Sequence, residues 1–190
     1  MDIKDSLFEG EHICLAPIQP EKDAVVEARW TQDSEYLRLL DLEPARPSSP
    51  ELVRKRYEAI EKEAEEAGRL FYFTIRLRQD DSLIGFARLD VMQWAMAYAS
   101  LQLGIGDPQQ RGKGYGSQAL RLLIRYAFSE LNLFHLDADV PEYNRVALRL
   151  FQRAGFVEEV CQRQALYRDG RRWNLICLGL LREEWSVNNG

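Results

Sequence analysis

Apolar and polar residues alternate with a period of two in the middle of the chain, from Leu70 to about residue 78. This alternation is typical of a β-strand with one buried face. Two further strands are predicted at about 83–91 and 97–105, and the turns between the three strands are short. Because short turns join antiparallel neighbours, the pattern predicts a three-stranded meander.

Other segments carry their apolar residues at the spacing of a helix. The clearest covers 50–67, where Ser49 is an N-cap, Pro50 takes the first helical position and Gly68 follows the end. Further helices are predicted over 21–40 (interrupted near residue 31), 117–131 and 144–154.

The remaining strands complete a sheet. They are predicted at about 12–18, 134–140, 156–167 and 173–181, and Asp169-Gly170 is a strong hairpin signal between the last two. The order β, α, α, β, β, β, α, β, α, β, β does not alternate strictly. It predicts an α/β (α+β) fold in one domain over 1–190, with a mixed, mostly antiparallel sheet of about seven strands flanked by helices.

Composition and charge narrow the classes of function. The 190 residues include 25 Lys plus Arg and 30 Asp plus Glu, a net charge of −5 that disfavours a nucleic-acid partner. No apolar run is long enough for a membrane span, and the polar start, without a signal-peptide pattern, predicts a cytoplasmic protein. Cys14, Cys161 and Cys177 are odd in number and widely spaced, which argues against a disulfide framework and against a metal site.

One segment, 110–117, carries chemistry. Gly112, Gly114 and Gly116 alternate with other residues between a strand and a long helix, so backbone N–H groups can surround an anion at the helix start. Arg111 and Lys113 add positive charge. The spacing matches neither a Walker loop nor a dinucleotide fingerprint. A pyrophosphate cradle is the favoured interpretation, and a plain strand-to-helix turn is the alternative.

The sequence resembles the GNAT acyltransferase superfamily in three motifs. Residues 111–116 match [RQ]-x-x-G-x-[GA], residues 140–144 match V-x-x-x-N, and residues 150–156 are similar to L-Y-x-K-x-G-F. The resemblance covers about 83–181, and it is greatest to the ribosomal-protein alanine and spermidine N-acetyltransferases.

The resemblance implies acetyl-CoA as the donor and a primary amine as the acceptor, either a small amine or polyamine or a protein N-terminus, with direct attack in a ternary complex. It also implies a splayed sheet, in which 101–105 parts from 134–140 to admit the pantetheine arm. Homodimers are frequent in such families. The implied CoA-binding residues are Leu103, Gly104, Ile105, Arg111, Gly112, Lys113, Gly114, Tyr115, Gly116, Ser117, Asn144 and Arg153, although a solvated helix face explains Arg153 equally well.

The catalytic residues are less clear. The resemblance implies a backbone N–H, assigned to Ile105, that polarises the thioester carbonyl. The family's proton-donating Tyr is replaced by Phe151, and the Ser used by some members is replaced by Ala147. Water could protonate the leaving thiolate; a catalytically weak module that binds or senses acyl-CoA is the alternative.

Candidate bases and acceptor contacts are taken from polar and aromatic side chains. Glu35 and Asp90 are ranked equally as bases. Asp139 is a further candidate, but it alternates with apolar neighbours, as does Asp137, and a solvated strand face explains both equally well. The predicted acceptor wall, against a competing interpretation as core packing, consists of Trp30, Tyr36, Trp94 and Trp173.

Overall fold

The computed structural model describes residues 6–188 of the chain, with side chains up to residue 185. Its centre is one seven-stranded sheet with the order β1-β2-β3-β4-β5-β7-β6. The strands are β1 (Ile13–Ala16), β2 (Leu70–Leu77), β3 (Leu83–Gln93), β4 (Tyr98–Ile105), β5 (His135–Pro141), β6 (Val157–Arg168) and β7 (Arg171–Leu181).

Helices lie on both faces of the sheet. They are α1 (Pro20–Trp30), α2 (Ser34–Leu40), α3 (Pro50–Ala67), α4 (Tyr115–Arg125), α5 (Arg145–Arg153) and α6 (Arg182–Asn188). Ser49 Oγ caps α3 at the N–H of Leu52, and Gly68 ends the same helix with a φ of 57°, both as predicted. The chain continues past α4 as one π-helical turn over 126–130. The sequence did not predict α6.

The predicted meander is confirmed, because β2 pairs antiparallel with β3 and β3 pairs antiparallel with β4. The closing hairpin is also confirmed: Asp169 and Gly170 both have positive φ, of 53° and 72°. Such a turn matches the twist of the strands that it joins.

The predicted splay between the fourth and fifth strands is present. β4 and β5 run parallel and pair only from Tyr98↔His135 to Ser100↔Asp137. β5 remains paired with β7 along its whole length. The edge of β4 from residue 101 to residue 105 therefore faces a gap.

The two faces of the sheet are covered unequally. On one face, Leu89 and Leu101 pack with Leu120 and Leu123 of α4 in the main core. On the other face, α1 and α3 cover β2 and its neighbours, and Tyr57 of α3 lies edge-on to Tyr72. This second face is less covered over β4, β5 and β7; we call this part the open face, formed by Tyr98, Ser100, Gln102, Asp137, Asp139 and Cys177.

Candidate functional site

The glycine-rich loop joins β4 to α4 and leaves its backbone N–H groups free. Gly112 and Gly114 have φ of 76° and 85°, in the left-handed region that glycine adopts without strain. No N–H from residue 111 to residue 117 donates a hydrogen bond to any described residue. A Cβ at Gly112 or Gly114 would meet open space. The loop therefore offers N–H groups and the positive end of α4 to an anion of phosphate size.

The Arg111 side chain points back into the protein. Its Nε donates to the Ile105 carbonyl at 3.0 Å, its Nη2 to the Gly106 carbonyl at 2.9 Å and its Nη1 to Asp33 Oδ2 at 2.9 Å. The guanidinium also lies 5.0 Å from the centre of the Tyr36 ring. Arg111 thus joins the loop to the start of α2, and its contact with CoA remains a prediction.

The Asp33 carboxylate caps α2 and balances Arg111. It accepts the N–H of Tyr36 at 3.0 Å. That hydrogen bond, followed by the one from Arg111, holds the pKa of Asp33 below its usual value. The loop is consequently anchored through an ionised carboxylate at neutral pH.

The other predicted phosphate ligands lie around the first turn of α4 and the end of α5. Lys113 is exposed, with its Nζ 3.0 Å from Gln110 Oε1. Tyr115 begins α4, followed by Gly116 and Ser117, and Arg153 is exposed at the end of α5. Their contacts with CoA remain predictions.

The free edge of β4 has a definite polarity. Gly106 N–H donates to the Ile84 carbonyl across the ladder at 2.9 Å, and hydrogen-bonding direction alternates along an antiparallel strand. The N–H groups of Leu103 and Ile105 therefore face the gap, whereas the backbone of Gly104 faces β3. Two of the three predicted backbone contacts to the pantetheine arm fit this geometry, and that of Gly104 does not.

Helix α2 bridges the gap from the side of the open face. Its last carbonyls accept hydrogen bonds from Gln102 Nε2 on β4, at 2.8 Å to Leu40 O, and from Tyr143 Oη beyond β5, at 3.1 Å to Arg38 O. Arg168 at the end of β6 donates to the carbonyls of Arg38, Leu42 and Glu43. Donors from both sides of the gap thus hold one short helix.

Asn144 belongs to the same set of contacts. Its Nδ2 donates to the Leu39 carbonyl at 3.0 Å, and its Oδ1 caps α5 at the N–H of Ala147. Both ends of the amide are engaged within the protein. Asn144 therefore joins α5 to α2, and its contact with the pantetheine arm remains a prediction.

The structure gives α5 no proton donor at the positions used by the family. Phe151 is 5% exposed and packs edge-on against Phe156, with ring centres 5.1 Å apart. Ala147 offers only its backbone N–H, which Asn144 already binds. The leaving thiolate must therefore take its proton from another group or from water.

The four predicted aromatic residues do not meet in one place. Trp30 and Tyr36 are buried together, edge to face, under the glycine-rich loop, where a Cβ at Gly106 would collide with the Trp30 ring. Trp173 lies on the closing hairpin against Tyr143. Trp94 is at the opposite end of β4, where the strands are closed, and it packs on Phe71.

The two bases ranked first from the sequence differ in their surroundings. Glu35 is exposed in the first turn of α2. Asp90 is bound by Arg88, whose Nε donates to Asp90 Oδ2 at 2.8 Å. Each lies on the side of the sheet where α2 and α3 are found, and neither assignment is tested by these contacts.

Polar residues on the open face form a hydrogen-bonded cluster with shifted pKa values, which the sequence did not predict. Tyr98 Oη donates to Asp137 Oδ2, and Cys177 Sγ lies 3.8 Å from the same oxygen. Burial and Asp137 raise the pKa of the Cys177 thiol to about 12, and burial raises the pKa of Asp139. Strand alternation could have placed Asp137 and Asp139 on one face, but only the parallel register of β4 with β5 brings Tyr98 to them.

These elements fit an extended thioester with a pyrophosphate at its far end. The open cradle at 112–117 suits the pyrophosphate, and the N–H groups of Leu103 and Ile105 suit the amide-bearing arm. Among residues 6–188, no cluster of side chains is suited to a metal ion and no helix is long and apolar enough to span a membrane.

Comparisons with known proteins identify the family of the chain. A family model described as an acetyltransferase (GNAT) domain matches residues 12–157. The chain is 26% identical over 183 residues to the SPbeta prophage-derived uncharacterized N-acetyltransferase YokL of Bacillus subtilis, covering 96% of this chain and 97% of that protein.

Solved structures show the same fold. Spermidine N-acetyltransferase from Vibrio cholerae, in complex with CoA and spermine, has a TM-score of 0.79 at 20% identity and covers 93% of this chain and 99% of its own. RimL, a ribosomal L7/L12 alpha-N-protein acetyltransferase in complex with CoA, has a TM-score of 0.79 at 16% identity, with 90% and 95% covered. The chain belongs to the GNAT acetyltransferase family and is an acetyl-CoA-dependent acyltransferase.

Proposed function

We propose that this enzyme transfers the acetyl group of acetyl-CoA to a primary amine by direct attack within a ternary complex. One observation carries the proposal: β4 and β5 part after Ser100↔Asp137, which leaves an unpaired strand edge next to a glycine cradle. An arm that pairs with this edge would place its thioester near the point where the strands rejoin. An acceptor can then approach from the open face, while the donor occupies the gap.

The chain contributes chiefly position and polarisation. The N–H groups that face the gap, those of Leu103 and Ile105, are candidates to polarise the thioester carbonyl. Since Phe151 has no proton to give, water protonates the thiolate. General acid catalysis is worth about 10² to 10⁴-fold, so its loss leaves room for turnover driven by proximity.

The acceptor is proposed to be cationic. The open face carries Asp137 and Asp139, and the Glu159 carboxylate lies over neighbouring Gly179. An ammonium group is attracted to such a surface before it loses its proton. Names of relatives point in the same direction, since they include a spermidine N(1)-acetyltransferase and an acetyltransferase of protein N-termini.

The test is thiol release from acetyl-CoA with a panel of amines that includes spermidine and short peptides with free N-termini. We expect turnover on at least one cationic amine. Tight CoA binding in calorimetry without turnover on any amine would instead support an acyl-CoA-binding module.

A matched pair of variants tests the cradle. Gly114→Val places a branched side chain where the phosphates would lie, and we expect CoA affinity to fall at least 100-fold. Gly68→Val is the control, because Gly68 also has a positive φ and open space around it but ends α3, away from the loop. Backbone strain of about 1–3 kcal/mol is common to both. Equal CoA affinity in the two variants would overturn the assignment of the loop.

A further inference from the structure

Asp137 occupies a singular place in the sheet. Its pair with Ser100 is the last one before β4 and β5 separate, so it marks the closed end of the gap. Paired residues direct their side chains to the same face, and Ser100 lies on the open face. The carboxylate therefore stands where an arm in the gap would end and where an acceptor from the open face would arrive.

The carboxylate is buried and incompletely satisfied. Asp137 is 8% exposed. Its Oδ2 accepts the Tyr98 hydroxyl, but its Oδ1 has no hydrogen-bond partner among the described residues. No described Lys, Arg or His lies within ion-pair distance of it: His135 Nε2, two residues earlier along β5, lies 3.2 Å from Glu159 Oε1 instead. Buried charges are ordinarily paired, so this oxygen lacks the partner that burial demands.

We propose that Asp137 binds the ammonium group of the acceptor through this free oxygen and accepts its proton. The inference rests on the proposed function, because it requires an amine acceptor. An ammonium ion supplies a hydrogen-bond donor to Oδ1 and a positive charge to the carboxylate.

The proton balance of the step is simple. One ammonium proton passes to the Asp137 carboxylate, and the freed electron pair of nitrogen forms the bond to the thioester carbon. The carbon–sulfur bond breaks and its electrons leave on the CoA thiolate. The second nitrogen proton ends on that thiolate through water, and Asp137 returns its own proton to solvent.

The neighbours of Asp137 suit this task. Tyr98 on β4 holds Oδ2 and leaves Oδ1 to the acceptor, and burial together with this hydrogen bond raises the pKa of Tyr98, so that it stays a donor. The Arg88–Asp90 pair on β3 is one strand farther away. The other titratable groups around it are His135 and Asp139 on β5, Cys177 on β7 and Glu159 on β6.

The first test uses Asp137→Asn, which keeps the shape and removes the base. With an amine that the wild type acetylates, we expect kcat/KM to fall by about 10² to 10⁴-fold at unchanged CoA affinity. Glu158→Gln, an exposed carboxylate on β6, is the matched control and should leave kcat/KM within twofold. A wild type that acetylates no amine refutes the proposed function itself, whereas an active Asp137→Asn refutes only the assignment of Asp137.

The second test separates proton transfer from structural damage. Hydroxylamine is mostly uncharged in mildly alkaline buffer and needs no base before it attacks. We expect the loss in Asp137→Asn to shrink to less than tenfold with hydroxylamine as the acceptor. Tyr98→Phe, which keeps the carboxylate but releases Oδ2, should lower kcat/KM for the charged amine several-fold and spare hydroxylamine. Equal losses on both acceptors would overturn the proposal.

Discussion

Two buried carboxylates in this protein have opposite surroundings. Asp23 on α1 is 1% exposed, and both of its oxygens accept from Arg76 Nη2 at 2.7 Å. Asp137 is almost as buried, yet among residues 6–185 one of its oxygens has no hydrogen-bond partner and no cation pairs with it. The first carboxylate is neutralised within the fold. The second is available to a cation from a ligand. This difference in pairing separates a structural carboxylate from a functional one.

The largest expected effect comes from removing Asp23, the carboxylate that is paired with an arginine. Asp23→Ala leaves Arg76 buried with only the exposed Asp81 carboxylate, 3.9 Å from its Nε, as a counter-charge, and we expect the free energy of unfolding to fall by about 3–5 kcal/mol. Urea unfolding followed by circular dichroism measures this loss. Asp23→Ala combined with Arg76→Met should recover part of it, because the buried charge is then gone. A loss below 1 kcal/mol in the single variant would contradict a structural role.

The ion pair between Arg111 and Asp33 is an intermediate case, since both side chains are about a third exposed. Arg111→Met should lower the free energy of unfolding by about 1–2 kcal/mol and weaken CoA binding, because the loop is released from α2. Asp33 has a lowered pKa in the folded protein. Its stabilising contribution is present above its usual pKa of 3.8 and disappears as the pH falls through its lowered pKa in the folded protein. The difference in stability between wild type and variant should therefore narrow in acid.

Replacing Asp137, the carboxylate without a counter-ion among the described residues, should change the free energy of unfolding in the opposite direction. Asp137→Asn removes a buried carboxylate that has no counter-ion among the described residues, so we expect the free energy of unfolding to stay constant or rise by about 1 kcal/mol while activity falls. Thermal unfolding at neutral pH measures it, with Glu158→Gln alongside. A clear loss of stability would mean that Asp137 is a structural carboxylate like Asp23.

The smallest effect concerns the absent proton donor. Phe151→Tyr restores a hydroxyl on α5, where Phe151 now packs on Phe156. If water already protonates the thiolate, turnover should change by less than about threefold, far below the 10² to 10⁴-fold that general acids contribute. Steady-state assays of thiol release provide the measurement. A rise of tenfold or more would show that proton donation limits the wild type.

The parts of the fold that depend on neighbouring residues were predictable. The cap at Ser49, the turn at Asp169-Gly170 and the left-handed glycines of the loop at 112–114 all follow from local backbone preferences, and the structure has each of them. Strand periodicity also sufficed for the meander. In addition, the family resemblance implied the splay between β4 and β5.

Side-chain directions at the site were not predictable, because distant partners determine them. Arg111 turns toward Asp33, 78 positions away in sequence. Asn144 turns toward the Leu39 carbonyl, 105 positions away. In the sequence, Asp137 and Asp139 are two acidic residues that alternate with apolar ones. Asp137 differs from Asp139 through the parallel register of β5 with β4 and through its unsatisfied oxygen. Neither feature leaves a signal in the amino-acid order.

The bridging of the gap by α2 has a consequence for how ligands bind. Gln102 on β4 and Asn144 beyond β5 both hold carbonyls of the same short helix, so the width of the gap is set by the protein before a ligand arrives. A pre-organised cleft spares an incoming ligand the entropy of ordering its walls. The enzyme should consequently bind its donor with little backbone movement. The fixed width of the gap should also limit the length and thickness of the acyl group that the enzyme accepts.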